Sequence, residues 1–344
     1  SQAEWDALRP VQWPVNAAHP QGCARLFGDR RFFHPDGKAR LLVPATPALT
    51  PRDAAYPLLM NSGRVRDQWH TMTRTGLVPR LMQHCDEPFV ALHPADAAQY
   101  GVTAGGLARV QSVQGWISAR VRADAGMRRG ELFVPMHWNR QFSQQSHVDM
   151  LVTARACPFS GQPALKQTPV RILPLAVSWQ GWLWQSGITQ PAGLRYWSRA
   201  PYAAVQRYAV AGEGSPQAWL AGQVDLSGCD LQVATGSGND YRLLAWRDGV
   251  LQLAFYAGSM LPSIDSAFVA AAFSDAPQDA AGRHSVLAGQ SAQRSAAGGM
   301  ICSGMAVGEQ TILQAIAQGC RTTQALGRKL KCGTQCGSCI PELK

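Results

Sequence analysis

Four cysteines near the C-terminus constrain this chain more than any other feature: Cys302, then Cys332, Cys336 and Cys339 in the run Lys331-Cys332-Gly333-Thr334-Gln335-Cys336-Gly337-Ser338-Cys339. Thiols grouped on short Gly-rich loops hold a soft metal or an iron–sulfur cluster. The surrounding segment of about 45 residues has little apolar core, and so small a module needs a metal staple. Ile312, Leu313 and Ile316 at helical spacing predict one helix, closed by Gly319. Thr322 or Thr323 caps a second helix, which carries Leu326 and Leu330 and is ended by Gly333. An antiparallel pair of such helices would bring Cys302 beside the terminal trio. Gly333 and Gly337 would let backbone N–H groups turn toward sulfur. A Cys₄ zinc knuckle needs similar ligands, but zinc ribbons pair two C-x₂-C knuckles and only one is complete here. Unligated thiols are the third reading.

The other cysteines, Cys23, Cys85, Cys157, Cys229 and Cys320, are scattered, and the total of nine is odd. That argues against a disulfide framework and for reduced thiols in a cytoplasmic protein. The 344 residues suffice for two or three domains, and 33 Gly, 22 Pro and 11 Trp favour β-rich, loop-rich architecture. Net charge is +10, which attracts anions. The Lys and Arg residues form no basic block and no Arg/aromatic interleaving, so nucleic acid is not expected as a partner. An anionic cofactor with an anionic substrate fits the spread better. No run approaches the roughly 18 apolar residues of a membrane span, so no membrane partner is expected. The N-terminus lacks Met and shows no secretory signal. The chain is expected to be a piece of something longer.

Three divisions are predicted. Residues 1–175 comprise a proline-punctuated N-terminal segment (to about residue 55), expected to wrap over its neighbour, and then a β-rich domain. Strands are predicted at Tyr56–Met60, at Phe89–Leu92 and at Leu132–Met136, with a short helix from Pro94 to Tyr100 stopped by Gly101. Residues 107–122 read as a hairpin turning near Gln114-Gly115. In its second arm Ile117, Ala119 and Val121 alternate with Ser118, Arg120 and Arg122, the pattern of a half-buried strand. Residues 176–295 form an α+β domain with strands at Leu231–Val233, Tyr241–Trp246 and Val250–Tyr256, a hairpin turn at Asp248-Gly249 and a helix over Phe268–Phe273. An Ala/Ser/Gly/Gln-rich stretch from Asp279 to Gly299 reads as a linker. Residues 296–344 hold the cysteine module.

Residues 301–344, ending Cys336-Gly337-Ser338-Cys339-Ile340-Pro341-Glu342-Leu343, resemble the bacterioferritin-associated-ferredoxin-type [2Fe–2S] domain, a helix-turn-helix iron–sulfur module. That family pairs an upstream Cys-x-Cys with a downstream Cys-x-x-Cys. Cys302, Cys336 and Cys339 match; the remaining ligand position falls on Gly304, and Cys332 is the candidate substitute. The resemblance thus implies Cys302, Cys332, Cys336 and Cys339 as metal ligands.

The run Asn61-Ser-Gly-Arg-Val-Arg-Asp-Gln-Trp-His-Thr-Met-Thr-Arg-Thr75 is polar and hydroxyl-rich. Gly63 allows close backbone approach, and Arg64 and His70 can pair with phosphate or heterocycle edges; a solvated loop is the plainer reading. With Val134-Pro-Met-His-Trp-Asn139 and Cys157-Pro-Phe-Ser-Gly-Gln-Pro-Ala-Leu-Lys166 it resembles the molybdopterin-dinucleotide-binding domain of molybdenum oxidoreductases, and most closely bacterial assimilatory nitrate reductases, over roughly residues 20–172. The resemblance implies a double-psi β-barrel and a dinucleotide lined by Asn61, Gly63, Arg64, Gln68, Trp69, His70, Thr71, Met72 and Thr73, with His137, Trp138, Asn139, Gln162 and Lys166 completing the wall. It also implies a molybdenum bis-molybdopterin guanine dinucleotide and a [2Fe–2S] cluster as cofactors. The substrate of the whole enzyme would be nitrate, reduced to nitrite, and the electron donor a ferredoxin, a flavodoxin or an NAD(P)H-dependent reductase. Arg328, Lys329 and Lys331 are candidates for docking an acidic donor. The family's molybdenum ligand and Cys-x₂-Cys-x₃-Cys motif do not occur here, so no catalytic residue is expected in this chain. Residues from Asp225 to Gly289 faintly resemble the small C-terminal domain of flavoprotein reductases; no Gly-x-Gly-x-x-Gly follows a strand, and no cofactor is assigned there. The competing readings are another molybdenum or tungsten oxidoreductase, such as a formate dehydrogenase, and a zinc-stapled binding module.

Overall fold

A computed structural model describes residues 1–43, 51–203, 205–291 and 298–344. The chain separates into two units, Ser1–Leu49 and Thr50–Lys344. The first carries one short helix, α1 (Gln2–Asp6), whose Ser1 hydroxyl accepts from Glu4 N while the Glu4 side chain returns to the cap backbone. Its other described residues are turns, as the prolines predict.

The second unit opens with a closed six-stranded barrel made from β1 (Leu58–Gly63), β2 (Phe89–Leu92), β3 (Leu107–Gln111), β4 (Trp116–Ala123), β5 (Glu131–Pro135) and β6 (Thr168–Pro174), in the order β1-β5-β2-β4-β3-β6. Pairs β1/β5 and β2/β4 are parallel and the rest antiparallel. Two short helices, α2 (Pro79–Met82) and α3 (Pro94–Gln99), lie between β1 and β3 in sequence. Inward residues follow the two-residue strand period: Met60, Val90, Leu92, Ile117, Ala119, Val121, Leu132 and Val134 share one core.

A six-stranded antiparallel sheet follows: β7 (Trp179–Gln185), β8 (Tyr196–Tyr202), β9 (Val205–Gly212), β10 (Leu231–Ser237), β11 (Asp240–Arg247) and β12 (Val250–Gly258), ordered β10-β11-β12-β7-β9-β8. On one face α4 (Pro216–Ala221) sends Leu220 and Trp219 against Trp179, Tyr208 and Phe255. On the other, α5 (Ser266–Ala272) and α6 (Ala280–Ala288) bury Val269, Val286 and Leu287 against Trp184, Trp246 and Tyr256.

Helix α6 overturns part of the linker expected from Asp279 to Gly299. Asp279 caps it by accepting from Gly282 N, and Gly289 ends it at φ 73°. Tyr256 Oη donates to Val286 O, and Arg242 Nη1 to Leu287 O and Ala288 O. The packed side of this helix is Val286 and Leu287, while Ala280, Ala281 and Ala288 are exposed. Residues 292–297 of that stretch lie outside the described residues.

Strand β4 also departs from expectation. Its outward residues Ser118 and Arg120 are buried: Ser118 is hydrogen-bonded to Gln145 and Ser146 of the chain after β5, and Arg120 reaches Gln180 of the sheet. Arg120 donates through Nε and Nη2 to Glu87 Oε1 at 3.0 and 2.7 Å, and through Nη1 to Gly105 O and Gln180 Oε1. Tyr196 Oη of β8 donates to the same Glu87 oxygen at 2.8 Å. A paired, fully hydrogen-bonded ion at the seam ties barrel to sheet. Removing one partner strands the other in a dry site, so Glu87→Ala is expected to cost about 3–5 kcal/mol, read as a lowered denaturant midpoint. A loss under about 1 kcal/mol, the range of exposed pairs, would remove this account of the seam.

The C-terminal module comprises a two-stranded hairpin, β13 (Met300–Cys302) and β14 (Val307–Gly308), followed by α7 (Glu309–Ala317), α8 (Thr323–Leu330) and α9 (Ile340–Leu343). Thr322 caps α8 by accepting from Ala325 N. The helix is capped two residues before the expected Gly333, by Lys331 in the left-handed conformation at φ 62°. The buried stripe of α7 is Ile312 and Ala315; Leu313 and Ile316 are exposed. Leu326 joins Ile312 in a small core whose other members include three cysteines.

Candidate functional site

The segment from Gly63 to Gly76 leaves β1 at the rim of the barrel and contains three non-glycine residues with positive φ: Asp67 (69°), His70 (44°) and Met72 (61°). Such conformations are held only by surrounding contacts. Here they come mostly from below. Gln68 Nε2 donates to Leu81 O, Thr75 Oγ1 donates to Gln68 Oε1, and Asn139 Nδ2 donates to Thr71 O at 2.7 Å. Met72 is fully buried with Phe142 and Trp138. The close fit requires Gly76: a Cβ there would stand 2.6 Å from Phe142 Cζ.

His137 spans the segment. Its Nε2 accepts from Val65 N at 2.9 Å, which makes Nδ1 the protonated nitrogen that donates to His70 O at 2.6 Å. Burial, then the nearby Arg64 and His70 charges, hold its pKa below the ordinary value, with only the His70 carbonyl opposing. The neutral ring is therefore the structural one.

The structure sorts the residues expected to line a dinucleotide into two sets. Gln68, Met72, His137 and Trp138 are buried beneath the loop and support it. Arg64, Trp69, His70, Thr71, Thr73, Gln162 and Lys166 are exposed, and Asn61, Gly63 and Asn139 half-buried, so these can meet a ligand. Arg64 lies over the Trp69 ring at 5.5 Å. Lys166 Nζ donates to Ser62 O, and Asn61 Oδ1 accepts from Gln167 N. Beside them is a cleft of about 580 Å³ lined in part by Thr71, Asn139, Arg140 and His147. Trp138 Nε1 and His147 Nε2, both buried at this cleft, have no hydrogen-bond partner. Unsatisfied buried polar atoms beside cationic and amide side chains fit a ligand that carries phosphate and heterocycle edges.

Cys302, Cys332 and Cys339 are buried together. Burial first, then the neighbouring sulfurs, push the Cys339 thiol up to about 11 and raise that of Cys332. Cys336 stands exposed, its Sγ 3.2 Å from Ser338 Oγ, and hydrogen bonding to Ser338 lowers its pKa. The structure thus brings together three of the four predicted sulfurs and leaves Cys336 outside. Among the described residues no three His, Cys, Asp or Glu side chains take up a geometry that holds a metal ion. The donor set, all soft sulfur on a Gly-rich turn, is the chemistry an iron–sulfur cluster uses. Iron binding would displace the protons these buried thiols retain.

Sequence reasoning missed a set of charged residues joining the loop to the cysteine module. Ser303 Oγ donates to Asp67 Oδ2 at 2.7 Å, and Arg80 Nη1 donates to Gly304 O at 3.2 Å. Arg66 Nη1 lies 3.3 Å from Glu342 Oε1. No local pattern marks these residues, because their partners are more than 200 positions away in sequence.

Residues 58–169 match the family described as Molydopterin dinucleotide binding domain, and residues 300–344 match the BFD-like [2Fe-2S] binding domain. A nitrate reductase of Klebsiella oxytoca is 46% identical over 100% of this chain and 39% of its own length. A nitrate reductase of Shewanella frigidimarina is 35% identical over 53% of the chain and 22% of its own. The assimilatory nitrate reductase catalytic subunit of Bacillus subtilis is 31% identical over 48% of the chain and 23% of its own. The chain spans about two fifths or less of the length of these curated relatives. The likeness to nitrate reductases and to both cofactor-binding domains, read first from motifs, is borne out.

The neutral His137 staple makes loop stability depend on pH. A histidine whose folded pKa lies below its unfolded value of about 6.5 takes up a proton on unfolding, so stability is complete above that value and falls as pH drops toward the folded pKa. Unfolding midpoints measured between roughly pH 5 and 7 are expected to fall on the acid side in the wild type and to flatten in His137→Gln. An equal slope in both proteins would refute the neutral-staple assignment.

Proposed function

We propose that this chain, related along its whole length to nitrate reductases, is the C-terminal, cofactor-binding and electron-entry portion of a molybdenum nitrate reductase that converts nitrate to nitrite in cytoplasmic nitrate assimilation. The observation that carries the reading is the polar loop Gly63–Thr73, held from below by His137 and Asn139 and facing a cleft with unpartnered donors. In this reading the barrel is of the double-psi type. The divisions are residues 1–175, 176–295 and 296–344, the last a helix-turn-helix iron–sulfur module.

A molybdenum bis-molybdopterin guanine dinucleotide, when bound, supplies the two-electron redox centre. Arg64, Lys166 and Arg140 would neutralise its phosphates, Trp69 and His70 would face its ring systems, and Thr71, Thr73 and Asn139 would hydrogen-bond its edges. Gln68, Met72, His137 and Trp138 would support the loop from beneath. At the tail, Cys302, Cys332, Cys336 and Cys339 would hold a [2Fe–2S] cluster, Cys336 turning inward to complete the set. Held there, such a cluster would supply a one-electron relay. Arg328, Lys329 and Lys331, at the end of α8 and beside Cys332, would steer an acidic ferredoxin, flavodoxin or NAD(P)H-dependent reductase.

Full-length enzyme is expected to contain molybdenum and iron and to reduce nitrate but leave formate unoxidised. Formate turnover without nitrate reduction would move the assignment to another molybdenum oxidoreductase, and a colourless protein containing zinc would replace the cluster reading with a structural staple. Within the tail, Cys332→Ser is expected to lower cluster iron by more than half, measured per chain beside Cys320→Ser. Unchanged iron in Cys332→Ser would remove Cys332 from the ligand set.

A further inference from the structure

We propose that Asp67 and Arg66 are positioning residues that latch the cysteine module onto the dinucleotide loop, so that the two cofactor sites share one seat. The inference rests on the functional reading above but concerns residues that reading leaves without a role. Asp67 lies at the start of the loop with φ 69°, a conformation a non-glycine residue adopts at a cost. Its carboxylate accepts the Ser303 hydroxyl at 2.7 Å, a charge-assisted bond. Ser303 is itself buried and follows Cys302 directly. On the far side of Ser303, the Gly304 carbonyl accepts from Arg80 Nη1 at 3.2 Å. The strand end that carries the first cysteine is therefore pinned on both sides.

The other end of the module is tied to the same segment. Glu342, three residues after Cys339, places Oε1 3.3 Å from Arg66 Nη1 and 3.5 Å from His84 Nε2. Arg66 Nε in turn lies 3.3 Å from Asp67 Oδ2. Arg66 is largely buried, and none of its nitrogens is aligned for a hydrogen bond. Its unmet donors make the two nearby carboxylates the groups that keep it in place. Asp67 and Arg66, within the Gly63–Thr73 loop, thus reach Ser303 beside the first cysteine and Glu342 three residues after the last.

Two sites that share one bistable element are coupled, and the coupling is reciprocal. A dinucleotide that fixes the loop in its left-handed conformation presents Asp67 and Arg66 to the module. A docked module biases the loop toward the shape that binds the dinucleotide.

The test is hydrogen–deuterium exchange of full-length protein, with and without its dinucleotide. In the wild type, amides of residues 300–308 and 340–344 are expected to exchange about tenfold more slowly with dinucleotide bound, the effect of one or two charge-assisted hydrogen bonds. In Ser303→Ala/Glu342→Gln the exchange is expected to be fast in both states. Asp67→Asn, which keeps the side-chain shape, should reproduce the effect at 300–308 alone. Iron per chain should stay at the wild-type level in both variants, which separates loss of docking from loss of the cluster. Wild-type exchange in the variants, or protection of 300–344 in the wild type that ignores the dinucleotide, overturns the latch. Wild-type protein that never contains a pterin would sink the functional reading instead, while the comparison of variants with wild type still decides whether the contacts hold the module.

Discussion

Phe142, Met72 and Trp184 meet in an apolar core that neither the barrel nor the sheet closes alone. Met72 belongs to the exposed loop, Phe142 to the chain after β5, and Trp184 to the centre of the sheet. The rest of the arrangement depends on this shared interior. A polar loop with several left-handed residues has little intrinsic preference for one shape; anchored by a buried methionine, it presents its hydroxyl, amide and imidazole groups on one side. The sheet reinforces the anchor through its edge. Arg199 N of β8 donates to Phe142 O, Gln144 N donates to Trp197 O, and the Arg199 guanidinium stands 5.0 Å from the Phe142 ring. The sheet β7–β12, for which sequence suggested no task, shares the core in which Met72 and Phe142 are buried.

Two buried charges are met by several partners: Arg120, and Arg207 between Asp86, Tyr202 and Ser266. His137, held by backbone groups on both ring nitrogens, is neutral. Among the buried polar atoms without a hydrogen-bond partner, which also include atoms of Arg109, Arg171, Trp184, Arg207 and Trp246, two groups are the cleft beside Asn139 and the seam around Arg66. Both border the loop.

Much of this was legible in the primary structure. Period-two alternation gave the interior of β4, Pro94 and Gly101 bracketed α3, and Asp248-Gly249 placed the turn between β11 and β12 correctly. What sequence could not show was the second side of each element. Ser118 and Arg120 read as solvent-facing because nothing local indicates that Gln145 and Ser146 meet the first and a sheet residue 60 positions onward, Gln180, meets the second. The stretch holding α6 reads as linker because its helix is specified by two caps and two buried residues rather than by a periodic stripe. In the candidate site, residue identity was legible but not orientation. His137 and Trp138 carry the same chemistry above or below a loop, and only packing places them below.

Gly304 sits where a related module would carry a sulfur. A Cβ there would meet nothing closer than Gln335 Oε1 at 3.8 Å, and its φ lies outside the left-handed range. Neither crowding nor backbone geometry forbids a larger residue. A cysteine at position 304 would therefore be accommodated by the present backbone, without rebuilding the architecture around it.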